Sequence, residues 1–188
     1  MLNLDYVRAQ FPGLQTDWTL FDNAGGSVPL GRVIDRVQDY MRNCMVQLGA
    51  SYELSVEATR RVEEGHRAVE QLFGAQKGDV VIGSSSTVLT RLAASALRPM
   101  WQEGDEVIVT DLDHEANIGP WRNLEETGIV VREWQCDAES YELRLEDLEP
   151  LLNKRTRLVA FSQCSNLVGE LQNVKAIVDR IHEAGAMV

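Results

Sequence analysis

The chain has 188 residues, 44% hydrophobic and 25% charged, an ordinary globular composition with enough length for one substantial core. Its net charge of −11 and pI near 4.7 argue against nucleic acid or an anionic membrane as partner. No run of roughly 18 apolar residues is present to span a bilayer, and the N-terminus "MLNLDYVRAQ" carries an early acid without the apolar centre of an export signal.

In chain order, a short helical stretch "LDYVRAQF" leads to "TLFDNAGGSVP" and then to a long helix around "GRVIDRVQDYMRNCMVQLG". Residues 1–50 therefore read as an arm contributing to a second, smaller lobe, and residues 51–188 as the larger body. "VEATRRVEEGHRAVEQLFG" sets Val56, Ala58, Val62, Val69 and Leu72 on one helical stripe, with Gly74 as its stop. Four β-branched runs follow: "DVVIG" from Asp79, "EVIVTD" from Glu106, "IVVREW" from Ile129 and "RLVAFS" from Arg157. Each is largely apolar on both faces, as in strands covered on two sides within a parallel sheet. Helical patterns alternate with them in "STVLTRLAASALRPMW", "IGPWRNLEETG", "RLEDLEPLLN" and "NVKAIVDRIHEAG". This alternation predicts an α/β fold with right-handed crossovers. The chain closes on "HEAGAMV", with Gly185 ending a helix and Ala-Met-Val opening a fifth strand. A natural domain rarely ends inside a buried strand, so the sequence reads as truncated.

Ligands of open parallel sheets bind where strands end, so the residues after each run carry the functional reading. Ser84-Ser85-Ser86-Thr87 open a helix after the first run. They are either plain caps or, with the first-turn N–H groups, a cradle for phosphate. Asp113-His114 follow the second run, and an imidazole there either sits on the surface or lies against a flat heteroaromatic ring and moves protons. His66 and His182 fall within amphipathic helices and keep the plain reading. After the fourth run, Asn166 either caps a turn or donates its amide to the same ligand, and Cys164 reads as a small buried residue rather than a nucleophile. No nucleotide loop of the G-x-x-x-x-G-K-[ST] or G-x-G-x-x-G kind follows any strand. The three cysteines (Cys44, Cys136, Cys164) contain no C-x-x-C pair. They fit a reducing, cytoplasmic compartment, without a disulfide framework and without a metal site.

Four blocks carry a resemblance to a known family: "FDNAGGSVP", "GSSSTVLTRLAA", "GDEVIVTDLDHEANIGPW" and "LVAFSQCSNLVGELQNV". The third is long and specific, the second the loosest. Together they resemble the class V aminotransferases among the fold-type I enzymes of pyridoxal 5'-phosphate (PLP), in particular the cysteine-desulfurase-like branch. The resemblance implies the large domain of that fold, a parallel-rich sheet with helices on both faces, and a homodimer acting on a small amino acid. It implies that Ser85 and Ser86 bind the cofactor phosphate. It also implies that His114 stacks on the pyridine ring as a catalytic residue, and that Asn166 bonds the phenolic oxygen. Ala24, Gly25 and Gly26 would line the substrate-carboxylate side. The family's phosphate-turn threonines and glutamate are Ser85, Ser86 and Thr87 here, a second histidine is Glu115, and the histidine opening the Ser-Asn block is Gln163. These departures point to a less typical member, and transamination, kynureninase-type cleavage, epimerisation or a non-catalytic interaction module stay open. None of Lys77, Lys154 and Lys175 stands in the family's Ser-x-His-Lys context. The acid that partners the pyridine nitrogen would also lie beyond Val188. By itself the chain is expected to be inactive.

Overall fold

The computed structural model describes residues 2–188, which form two compact units, a first that ends at Ile82 and a second, Gly83–Val188. In the first unit, α1 (Leu4–Ala9) starts where the Asn3 side chain accepts the Tyr6 N–H. It is followed by α2 (Gly31–Asn43) and α3 (Glu53–Phe73). Ser55 and Thr59 on α3 tie down the loop that enters it. The Ser55 hydroxyl donates to the Gln47 carbonyl and accepts the Ala50 N–H, while Thr59 Oγ1 accepts the Gly49 N–H. Arg61 bridges the two long helices, reaching Asp39 on α2 while also binding Glu57 on α3. Gly74 ends α3 at φ +63°, a left-handed conformation that glycine adopts without penalty, as the sequence predicts.

The run Asp79–Gly83 does not form the expected strand. Val81 is 75% exposed and Ile82 49% exposed, and no neighbouring strand lies beside them among the described residues. A strand exists only through the ladder it makes with a neighbour, so β-branched composition cannot produce one alone.

In the second unit, β1 (Glu106–Thr110), β2 (Val130–Trp134) and β3 (Thr156–Val159) form a parallel sheet in the order β2-β1-β3. The remaining helices are α4 (Ser86–Leu97), α5 (Glu115–Arg122), α6 (Leu145–Leu148) and α7 (Val174–Glu183). Alternation along β1 builds two cores. Val107 and Val109 pack with Ala94 of α4 and Ile118 and Trp121 of α5. Ile108 faces the other way and packs with Trp134, Leu148 of α6, and Ile177 and Ile181 of α7. The sheet therefore carries helices on both faces. All five residues of β1 are buried, but β2 exposes Val130, Arg132 and Glu133. The expectation of two-sided cover fails there because β2 is an edge with a single neighbour, and charged side chains suit an edge. The expected fifth strand does begin. Met187 pairs parallel to Leu158, its N–H donating to the Arg157 carbonyl at 2.9 Å and its carbonyl accepting the Val159 N–H at 2.9 Å.

Ion pairs hold the amino end of β1. Asp105 accepts from Arg157, and Glu106 accepts from Arg132 and from the Asn153 amide. The Arg157 guanidinium holds the Asp105 carboxyl below its ordinary 3.8, and Arg132 does the same for Glu106 below 4.5. These carboxylates add stability that is complete above their unfolded values and is lost as pH falls through the depressed folded values.

Two outcomes follow. Urea midpoints drop as pH falls below about 4, and Glu106→Gln flattens that drop while costing about 1–2 kcal/mol near pH 7. The cost stays modest because Arg132 keeps 42% of its side-chain exposure against 7% for Glu106. An acid profile identical to the parent's would refute the assignment. Ile177→Ala, at a fully buried position, lowers unfolding free energy by about 2–5 kcal/mol in the same denaturation experiment.

Candidate cofactor site

Because β1 and β3 are adjacent and parallel, the segments that leave them emerge at the same end of the sheet. His114 follows β1 after Asp111-Leu112-Asp113, and Asn166 lies in the loop that follows β3. The sheet thus brings these two sequence-predicted positions to one end.

Ser85 is the N-cap of α4, its Oγ accepting the Val88 N–H at 3.2 Å and its carbonyl taking the Leu89 N–H at 3.0 Å. Those two bonds leave the N–H groups of Ser86 and Thr87 without intrahelical acceptors, as at any helix start. Ser84 to Thr87 are all exposed. Just before them, Gly83 lies so close to the first turn that a Cβ would fall 2.6 Å from Leu89 Cδ2. The plain capping role and the free donors therefore coexist at this turn.

His114 is the N-cap of α5. Its Nδ1 accepts the Ala116 N–H at 3.0 Å, and the ring is exposed. Asp113 accepts the His114 N–H through Oδ1 and the Asn117 amide through Oδ2, both at 2.6 Å. Asn117 Oδ1 accepts the indole N–H of buried Trp121 at 3.4 Å. Sequence reading singled out His114 and left this supporting chain unnoticed. The signal was available in the i, i+4 spacing of Asp113, Asn117 and Trp121, which puts them on one helical face.

Asn166 is exposed and its side chain makes no hydrogen bond among the described residues. The loop around it is shaped by buried Ser165, whose Oγ accepts the N–H groups of Leu167 and Val168. Cys164 is exposed rather than buried, because it lies beyond the end of β3 in this loop, and its thiol approaches the Ser165 carbonyl at 3.8 Å. Cys136 follows β2. Burial and the Asp111 carboxylate push its thiol up from 9.0, which disfavours a nucleophilic thiolate. Thr110, the last residue of β1, is fully buried with no partner for its hydroxyl among the described residues.

An open cavity of about 440 Å³ joins α4, α5 and the end of β3 through Leu89, Thr90, Asn117, Trp121, Ala160 and Phe161. Ser85, Ser86, His114 and Asn166 are not part of its lining. Ala24, Gly25 and Gly26 belong to the first unit and are exposed; Ala24 and Gly25 lie in a turn closed by the Gly25 N–H on the Asp22 carbonyl at 3.2 Å, and Gly26 follows it. Among the described residues, no His, Cys, Asp or Glu cluster is placed to hold a metal ion, and no helix is long and apolar enough to cross a membrane.

Comparison with known proteins matches residues 19–188 to the family described as aminotransferase class-V. An aminotransferase-like protein, FGM3, of Gibberella zeae is 39% identical over 96% of this chain and 46% of its own length. A probable cysteine desulfurase of Vibrio cholerae is 33% identical over all of this chain and 48% of its own length. Among solved structures, the cysteine desulfurase CsdA of Escherichia coli superposes with a TM-score of 0.80 at 26% identity, over 100% of this chain and 48% of that one. The apo cysteine desulfurase of Thermococcus onnurineus NA1 shares the fold with a TM-score of 0.89 at 24% identity, over 99% and 46%. The chain spans about half the length of the relatives it matches. With this likeness running from the exposed segment at Ala24–Gly26 through the sheet to Val188, the chain belongs to the class V aminotransferase family.

Proposed function

We propose that the chain supplies the phosphate, ring-face and phenolic-oxygen contacts of a PLP-dependent, cysteine-desulfurase-like enzyme acting on a small amino acid. The carrying observation is the exposed ring of His114, fixed by its own helix at the end of the sheet where Asn166 also emerges. The residues present fit the cofactor. The free N–H groups of Ser86 and Thr87 and the hydroxyls of Ser85 and Ser86 suit a phosphate at a helix start. Ser85 Oγ accepts from Val88, which leaves its own proton to donate. The unpartnered Asn166 amide suits an anionic phenolic oxygen. Bound PLP supplies the electron sink for chemistry at the amino acid's Cα.

His114 presents a flat, neutral-capable ring whose second nitrogen, Nε2, can give or hold a proton at that site. The segment of Ala24, Gly25 and Gly26 offers bare backbone to a substrate carboxylate. The same reading carries a homodimer. It also holds that this 188-residue chain does not anchor the cofactor covalently. Lys154 precedes β3 and so lies at the opposite, amino end of that strand, and Lys175 is engaged by Asp179 on α7. Lys77 sits in the turn after α3.

A second reading, a non-catalytic module that retains cofactor binding, is favoured by the same lysine placement. Other class V reactions share the contacts proposed here.

Pyridoxamine 5′-phosphate is the probe of choice, because its amine cannot condense with lysine. It is expected to raise the thermal midpoint of the chain. Ser86→Asp, which sets a carboxylate against the phosphate, weakens binding at least about tenfold, equivalent to about 1.4 kcal/mol. Binding that is absent, or indifferent to both Ser86→Asp and His114→Ala, would overturn the reading. Cysteine turnover by the 188-residue chain alone would overturn the expectation of inactivity.

A further inference from the structure

Helix α5 begins with an unusual cap. Serine, threonine, aspartate and asparagine are the common N-caps, yet here the cap is an imidazole. His114 Nδ1 accepts the Ala116 N–H at 3.0 Å. A neutral imidazole carries one donor and one acceptor nitrogen, so the cap bond places the ring proton on Nε2. The other tautomer would aim an Nδ1–H at the Ala116 N–H.

The backbone that carries the ring is held on both sides. The His114 N–H is bound by Asp113 Oδ1 at 2.6 Å, and the His114 carbonyl accepts the Asn117 N–H at 2.8 Å. The second oxygen of Asp113 takes the Asn117 side-chain amide at 2.6 Å. Asn117 has its amide orientation dictated at both ends: the Asp113 carboxylate accepts from Nδ2, and the Trp121 indole N–H donates to Oδ1. Trp121 is itself anchored in the core against Val107 and Val109. A chain of directional bonds thus runs from the packed interior to the exposed ring.

We infer that Asp113, Asn117 and Trp121 are positioning residues that lock His114 in its Nε2–H tautomer, so the one ring nitrogen offered outside the helix is a donor. This rests on the reading of His114 as the residue that faces the cofactor, and it deepens that reading. Proton traffic through His114 then runs by way of Nε2, because Nδ1 is committed to the helix. A neutral His114 arrives at the site as a donor, able to give a proton or bind an anion, rather than as a base with an open lone pair.

The test is a long-range proton–nitrogen correlation spectrum of the 15N-labelled chain without any cofactor. His114 is expected to show the Nε2–H pattern with an acceptor-type Nδ1. His66 and His182, whose rings make no hydrogen bond among the described residues, show averaged tautomers and serve as internal references. Asn117→Ala is expected to move the His114 pattern toward theirs. Trp121→Phe, which removes the longest bond of the chain, moves it less. If the alanine variant fails to fold, Asp113→Asn breaks the chain with almost no change in volume, because one amide oxygen replaces two carboxylate acceptors and either the Asn117 amide or the His114 N–H loses its bond. A parent spectrum in which His114 averages like the references, or carries its proton on Nδ1, overturns the inference. So does an unchanged His114 pattern in a folded Asn117→Ala or Asp113→Asn chain. The readout needs no cofactor, so failure of pyridoxamine phosphate binding would remove the site reading and leave the tautomer lock standing, and the reverse holds equally.

Discussion

The second unit depends on one constraint: β1 is buried along its whole length and must satisfy both of its sides and both of its ends. Its backbone is paired to β2 and β3, and its side chains alternate between two separate cores. Its amino end buries the acids Asp105 and Glu106, which is tolerable because arginines from β2 and β3 meet them. At the carboxyl end, the chain turns directly into Asp113-His114 and helix α5. A strand with no freedom in the middle leaves variation only at its ends. There the amino end is given to ion pairs and the carboxyl end to exposed, chemically capable groups. This division leaves the carboxyl end, where ligands of open parallel sheets bind, free of structural ion pairs among the described residues.

Much of this was legible in the residues, and what was not has a physical reason. β1, the stops at Gly74 and Gly185 and the opening of a strand at Met187 are local patterns that formed where the sequence placed them, while α5 starts at Glu115, ahead of the "IGPWRNLEETG" stretch, and "RLEDLEPLLN" yields only the short α6. The run Asp79–Gly83 has the same β-branched composition as β1 but forms no strand, because pairing is a property of two segments and only one of them is written in a run. The exposure of β2 was hidden for a related reason. Whether a strand is central or at an edge depends on the order of strands, and "IVVREW" contains apolar residues for either case.

The candidate site divides in the same way. The positions of Ser85, Ser86, His114 and Asn166 were legible from family-like blocks, and the fold places them at helix starts and strand-end loops. Their hydrogen-bond partners were not legible. Nothing in "DLDHEANIGPW" announces that the imidazole accepts from Ala116, and the i, i+4 spacing of Asp113, Asn117 and Trp121 becomes a bonded chain only once the helix after His114 is in place. Those facts require the helix to start at Glu115 rather than a residue earlier or later, and such boundaries are set by capping itself. Cys164 shows the converse. Cysteine is a buried residue on average, but in the loop beyond β3 it is the neighbouring Ser165 that turns inward and Cys164 that faces out.

Capping and binding are often weighed against each other as explanations for a polar residue at a helix start. Here they are two uses of the same atoms. A hydroxyl that accepts one backbone N–H keeps its proton, and an imidazole that accepts at Nδ1 keeps its Nε2–H. The structural bond consumes an acceptor and leaves a donor behind, so a capped helix start presents donors on its outer side. The bond also removes rotational freedom from the side chain before any ligand arrives, which lowers the entropy that binding would otherwise have to spend. Such a surface favours anionic ligands and anionic atoms of larger ones. Ser85 at α4 and His114 at α5 both follow this rule, and Asn166 adds an amide with no internal partner. The chain thus offers fixed donors at two helix starts and one unpartnered amide in the loop between β3 and α7.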